Sequence, residues 1–190
     1  MVIAITGTPG SGKSTFASEL SKALKDAKLI EINSIVKKGK HFSELDENGA
    51  MVVKPLELSK ALNAEIEKHL KSESVIVVGH LVPELDITPD IVVVVKAKLK
   101  VLIERLEKRK YNKDKIRENI VSEAIDYCGT ASSERWPNTL EINDDKQREE
   151  VINYILALSK GKKAEPPKTE SRQRLDELLE LVDDGNRYGF

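Results

Sequence analysis

Cysteine occurs once in the 190 residues, at Cys128, so no disulfide can form within the chain. A lone thiol fits a reducing compartment, where it is expected to sit as a small core residue. Histidine is scarce too. His41, His69 and His80 lie far apart, and with one cysteine they offer none of the ligand spacings of a metal cluster. An excess of one charge is also missing: the formal net charge is −1, which gives no global attraction to nucleic acid. No run approaches the length of a bilayer span, about 20 apolar residues. Met1 leads straight into a candidate core strand and leaves no room for a signal peptide. Together these absences point to a cytoplasmic protein. What is plentiful is charge of both signs: 33% of residues, Lys and Glu dominant, a composition frequent in proteins of hot environments. The length suits one domain with a short appendage.

The stretch Gly7-Thr8-Pro9-Gly10-Ser11-Gly12-Lys13-Ser14, followed by Thr15, has the spacing of a phosphate-binding loop. Its glycines allow a tight turn in which successive backbone N–H groups point at phosphate oxygens. Lys13 adds a positive charge at the β and γ phosphates, and the Ser14 hydroxyl is placed to hold a magnesium ion. The flanks supply the setting the motif needs. Residues 2–5 read as a buried strand, and residues 14–28 as a helix with Phe16, Leu20, Ala23, Leu24 and Ala27 on one face. The helix start contributes a partial positive charge of its own.

Further strands are expected at 29–32, 74–78, 91–95 and 139–142. Asn33 is placed to cap a brief helix over 34–38. Residues 39–54 read as irregular, with a turn at 46–49. Leu58, Leu62, Ile66 and Leu70 recur every four residues, which predicts an amphipathic helix over 55–71. More helices are expected over 98–110, 114–127 and 145–159, with Trp136-Pro137 as a turn at the core edge. Strands apolar on both faces and alternating with helices indicate a parallel sheet covered on two sides. The fold class is therefore α/β, a P-loop NTPase with five parallel strands and helices on both faces. Ligands in such sheets bind at the carboxyl ends of the strands. That rule gathers Gly7 to Thr15, Asn33, His80 and the segment after Val95 around one crevice.

The expected organisation is a kinase core over 1–160, a linker over 161–170 and a helix with tail over 171–190. Pro166-Pro167 marks the linker. In the last helix Leu175, Leu178, Leu179 and Val182 form a stripe, and Gly185 ends it. The stripe is expected to pack on the core, with partner binding as the alternative.

A phosphate loop alone does not separate kinases, GTPases and motor ATPases. The guanine-reading Asn-Lys-x-Asp motif is absent; Asn112-Lys113-Asp114 has the wrong spacing and follows no strand. Small nucleotide kinases hold their acceptor with an inserted segment, and residues 33–54 occupy that place. Arg105, Arg109 and Arg117 flank a polar break at 110–115. Arg105 and Arg109 share a helix face and can clamp a transferring phosphoryl group, or pair with Glu104 and Glu107 in solvent.

The chain resembles the atypical adenylate kinases typified by adenylate kinase isoenzyme six, which are also ribosome-assembly ATPases, in an archaeal version. The resemblance covers residues 1–158. It rests on Thr6 through Thr15, on His80, on Glu104-Arg105-Leu106-Glu107-Lys108-Arg109-Lys110-Tyr111-Asn112, and on Lys115, Asn119-Ile120 and Glu123. It implies a five-stranded core of the nucleoside monophosphate kinase type, an AMP-binding segment over 30–53 and a lid over 108–118. It implies Mg-ATP bound by Gly10, Ser11, Gly12, Lys13, Ser14 and Thr15, with Ser14 on the Mg2+ and Arg109 on ATP. It places Lys146 near the adenine. The catalytic set it implies is Lys13, His80, Arg105 and Arg109. The implied activity is phosphoryl transfer to AMP with ATPase activity. The implied partners are a small-subunit ribosomal protein of the platform and pre-ribosomal RNA.

One departure stands out. The family has Asp, one residue, then His at the end of the third strand, whereas this chain has Val78-Gly79-His80. The acid that would organise the magnesium shell is missing, and Glu84 and Asp86, which follow His80, are the candidates to replace it. His80 is placed to orient an attacking water or sense a γ-phosphate, or to serve structurally. Two other functions stay open: a kinase for another nucleoside monophosphate or small metabolite, and a nucleotide-gated ribosomal-protein chaperone with slow ATPase.

Overall fold

The computed structural model describes residues 1–25, 27–39, 42–45, 51–70, 74–168, 173–183 and 188–189. Strand β1 (Val2–Thr6) is the middle of a five-stranded parallel sheet. On one side it pairs with β5 (Val75–Val78), which pairs in turn with β2 (Lys28–Glu31). On the other it pairs with β6 (Ile91–Val95), which pairs with β7 (Thr139–Ile142). Val and Ile suit these positions because both faces are buried. Successive side chains point to opposite faces. Ile3 and Ile5 therefore pack with Phe16, Leu20, Val151 and Ile155, from α1 (Lys13–Ala23) and α7 (Asp145–Ser159). Val2 and Ala4 face Val36, Leu58, Leu62 and Ile66, from α2 (Ile32–Gly39) and α3 (Pro55–Leu70).

A third apolar cluster lies beside the sheet. Leu99, Leu102, Ile103 and Leu106 of α4 (Leu99–Lys108) meet Ile116, Ile120 and Ala124 of α5 (Lys113–Ala124). Tyr188 is buried in the same cluster, and Leu178 and Leu181 of α8 (Leu175–Asp183) pack against it. The last helix thus docks through Leu178 of the expected stripe and through Leu181 outside it, whereas Leu175 and Leu179 are exposed. Between α7 and α8, residues 162–168 have no regular structure.

Several boundaries differ from expectation. The first helix stops at Ala23, not residue 28, because Lys25 turns left-handed (φ 58°). Ala27 is buried in the sheet core, and Lys28 opens β2 by donating its N–H to the Ser74 carbonyl at 2.9 Å. Asn33 is no cap: α2 begins at Ile32, directly after β2. Ile32 is fully buried against Gly79, where a Cβ would stand 2.7 Å from its Cδ1. The stretch expected to be irregular contains an antiparallel pair, β3 (Phe42–Leu45) with β4 (Met51–Val53). The turn expected at 46–49 and the stop at Gly185 lie outside the described residues.

The helix expected over 114–127 ends at Ala124, and a further helix, α6 (Tyr127–Arg135), follows. Asp126 takes a left-handed conformation (φ 59°) and accepts a hydrogen bond from the Gly129 N–H at 3.1 Å, which starts α6. The small polar run Gly129-Thr130-Ala131-Ser132-Ser133 carries too little apolar periodicity to announce a helix. Trp136 forms the expected edge turn, its carbonyl accepting from the Thr139 hydroxyl at 2.8 Å. Cys128 is buried as expected, and burial pushes its thiol up to about 11.

Candidate active site

A cavity of about 210 Å³ opens where β1, β2 and β5 end, lined by Gly10, Gly12, Lys13, Ser14 and Thr15 of the loop. Gly7 has φ 136°, and a Cβ there would lie 2.3 Å from the Val95 carbonyl oxygen. Only glycine lets the loop rest this close on the end of β6. Gly10 (φ 93°) packs on α4, where a Cβ would meet Leu102 Cδ1 at 2.9 Å.

Thr8 organises the loop from below. Its carbonyl accepts from the Ser11 N–H at 3.0 Å and from the Lys13 ammonium at 2.9 Å. Its hydroxyl donates to Glu123 Oε2 at 2.6 Å. The other oxygen of Glu123 accepts from the Ala97 N–H at 2.8 Å, so one buried carboxylate joins the loop to the segment after β6. That segment lies beneath the loop and not along the cavity wall. Its Lys96 is buried and paired with Asp126. Burial pushes Lys13 down to about 8, against the opposing pull of Cys128 and Glu123 and with a further push from Arg109.

His80 and Asn33 line the cavity, as the strand-end rule requires. Burial pushes His80 down to about 4, helped by the positive charges of Lys13 and Lys115. Its imidazole is therefore neutral at pH 7, able to donate from one nitrogen and accept at the other. Arg109 and Tyr111 line the cavity from the α4–α5 turn. Lys110 between them is left-handed (φ 59°), and the Asn112 side chain caps α5 by accepting from the Lys115 N–H at 2.8 Å.

The remaining candidates take other places. Arg105 donates from Nη1 to the Gly10 carbonyl at 2.9 Å and so braces the loop from behind. Arg117 faces the chain's end, donating to the Gly189 carbonyl at 3.1 Å, with Asp114 3.4 Å away. Ser11 is buried under the loop, its hydroxyl without a hydrogen-bond partner among the described residues. Lys146 lies outside the cavity, its side chain 85% exposed and 3.8 Å from Glu150.

Neither Glu84 nor Asp86 lines the cavity. Burial pushes the Glu84 carboxyl up, partly offset by a hydrogen bond from Tyr127. Asp86 is held at α3, its N–H donating to Ser59 Oγ and its carbonyl accepting from Asn63, both at 2.9 Å. The carboxylate that does line the cavity is Glu31, the register partner of Val78 across the β2–β5 pair. Sequence reasoning missed it because the proximity runs between strands. Tyr111 was passed over as a polar break, although its place beside Arg109 was a usable signal.

This sheet order, with the phosphate loop closing β1 and a basic turn facing it, defines a P-loop nucleotide-binding protein of kinase architecture. The fold recurs in TT1252 from Thermus thermophilus (TM-score 0.56, 18% identity, 83% of this chain and 97% of that one). It recurs also in a shikimate kinase from Acinetobacter baumannii (TM-score 0.53, 16% identity, 86% and 95%). The family described as AAA domain matches residues 3–126, and this chain belongs to it. Within reach of sequence comparison are archaeal proteins bearing the name "Putative adenylate kinase". The one from Methanocaldococcus jannaschii is 37% identical over 166 residues, 86% of this chain and 88% of the relative. That of Pyrococcus furiosus is 35% identical over 162 residues, 83% of each.

Proposed function

We propose that this protein is an adenylate kinase that transfers the γ-phosphoryl group of Mg-ATP to AMP, and that hydrolyses ATP when no acceptor is bound. The observation that carries the reading is the convergence of the phosphate loop, neutral His80 and Arg109 on one cavity. The archaeal relatives' name supports the adenylate acceptor.

The backbone N–H groups of the loop and the Lys13 ammonium bind the β and γ phosphates. In transfer, a phosphate oxygen of AMP attacks the γ-phosphorus as the bond to the β-phosphate oxygen breaks, giving two ADP. Charge develops on the equatorial oxygens, and Arg109 and Lys13 lie on the cavity wall to meet it. Asn33 and Glu31 stand on the α2 side, the side proposed to receive AMP. With no acceptor bound, His80 can orient a water through either nitrogen. Arg105 holds the Gly10 carbonyl and so keeps the loop's N–H groups aimed inward. The donor set fits magnesium, since Ser14 offers a hydroxyl and Glu31 a carboxylate among the residues that line the cavity, both hard oxygen ligands. When bound, Mg2+ would neutralise charge on the β and γ oxygens.

A time course of ATP, ADP and AMP, with and without added AMP, tests the reading. ADP formed in twofold excess over the ATP consumed, only with AMP present, is the expected signature. Transfer to CMP or a small metabolite with little to AMP would move the protein to another kinase class. Lys13→Ala should abolish turnover, and retained turnover would remove the loop from the mechanism. The resemblance carried by Glu104 through Asn112 extends the proposal to small ribosomal subunit assembly, with a platform ribosomal protein as partner and contact to pre-ribosomal RNA. A pull-down with that protein should respond to ATP; indifference to nucleotide counts against an ATP-driven assembly role.

A further inference from the structure

Residues 173–183 and 188–189 lie beyond the part of the chain that the AAA domain family spans. They nevertheless reach the foundations of the phosphate loop. Arg174 is 6% exposed, a rare position for a guanidinium unless it is held on several sides. Its backbone N–H donates to the Ala124 carbonyl at 2.9 Å. Its Nη1 donates to Glu177 at 2.7 Å and its Nη2 to Asn143 at 3.2 Å, just after β7. Its Nε stands 4.0 Å from Glu123 Oε1 as an ion pair, with no hydrogen-bond partner of its own among the described residues. Glu123 is 2% exposed, and its other oxygen holds the Thr8 hydroxyl at 2.6 Å.

The same segment grips α4. Glu177 Oε2 accepts from the Leu99 N–H at 2.8 Å and so caps the start of the helix whose far end carries Arg105 and Arg109. Near that far end, the Tyr188 hydroxyl donates to Glu107 Oε1 at 2.6 Å. The strap thus touches both structures that frame the proposed nucleotide site, the loop through Glu123 and α4 at its two ends.

We propose that Arg174 is a positioning residue for ATP, acting on the phosphate loop through Glu123 and Thr8. The physical reason is the low dielectric of the site. A carboxylate buried under the loop without a facing cation seeks other positive charge or water, and either relaxes its hold on Thr8. Thr8 is the residue whose carbonyl holds Lys13, so slack in its side chain reaches the ammonium that meets the phosphates. Arg174 touches no phosphate-facing atom of the cavity, and its influence on binding is indirect.

The proposal rests on the ATP-binding reading, and calorimetric titration with Mg-ATP separates the two. A wild-type protein that binds no ATP overturns that reading and this proposal with it. If wild type binds, Arg174→Gln should weaken ATP about five- to tenfold, the range of a modest coupling between sites. Arg174→Lys, which keeps the charge, should recover most of the loss. In turnover the loss should appear in KM for ATP, with kcat and KM for AMP little changed. Leu178→Ala, which loosens the strap's apolar packing, should lower Tm without changing ATP affinity. In the double-mutant cycle, Thr8→Val with Arg174→Gln should bind no more weakly than Thr8→Val alone. Should Arg174→Gln fail to fold, Arg174→Lys enters the same cycle. Wild-type affinity in Arg174→Gln overturns the proposal. So do fully multiplicative effects in the cycle, or an equal loss of affinity in Leu178→Ala.

Discussion

At pH 7 the Lys13 ammonium is held by the Thr8 carbonyl at 2.9 Å, in surroundings that bring it down to about 8. Phosphate binding favours the charged form, so binding must raise that value again. ATP affinity is therefore expected to be flat below pH 8 and to fall above it, approaching tenfold per pH unit. Near pH 8, binding should take up a proton, seen as a dependence of calorimetric heat on buffer ionisation enthalpy. His80 carries a different pH signature. Its folded value of about 4 lies below the ordinary 6.5, so between these limits the unfolded chain binds more protons. Stability should accordingly be intact above pH 6.5 and be lost as pH falls toward 4, by at most about 3 kcal/mol. Melting curves at pH 7 and 4.5 should show a smaller acid-induced drop for His80→Gln than for wild type. The loop residues were legible in the sequence because their spacing along one strand–loop–helix encodes their positions, and His80 because it follows a strand whose carboxyl end must open on the same crevice. Glu31 was not, since only the pairing of β2 with β5 brings it opposite Val78. Spacing put Arg105 on the face of Arg109 but could not say that this face meets the Gly10 carbonyl.

Among the elements, the α4–α5 turn repays the closest reading, because four residues between two helices must present both Arg109 and Tyr111. Lys110 bears the conformational cost with φ 59°, and Asn112 restarts the helix. Lys110→Gly should relieve the left-handed strain and stabilise by about 1 kcal/mol. Asn112→Ala should cost about 1 kcal/mol through loss of the cap. In a chain of this size each corresponds to a Tm change of about 2–4 °C. Calorimetry on the two variants should find opposite signs. The five sheet strands and the long helices were readable because buried β-branched runs and four-residue leucine spacing are strong patterns. The β3–β4 pair and α6 were not. The first is short and lies in a polar stretch, and the second is started by a left-handed Asp126 within a small-residue run.

The molecule as a whole is two apolar layers on a sheet and a third cluster beside it. The third cluster is where the chain's last described segment meets α4 and α5. Leu106, fully buried there and within 3.4 Å of where a Gly10 Cβ would stand, serves both cluster and loop. Leu106→Ala should cost about 2–5 kcal/mol. Leu178→Ala, at a half-buried position, should cost less, and denaturant titration of the two variants checks the order. Sequence periodicity implied that the last helix would dock, but it gave no hint that Arg174, just before it, would be buried. A charged residue outside any apolar pattern reads as surface, and only the meeting of α5, α8 and the end of β7 takes it inside. The arrangement also sets an order in time. During synthesis the phosphate loop is made before the partners of its strand, and β1 cannot pair until β5 and β6 have followed. Glu123 comes later still, and Arg174 last of all. A chain made only as far as the 162–168 stretch would contain all five sheet strands and still lack Arg174, so the sheet can be complete before the cation beside Glu123 is in place.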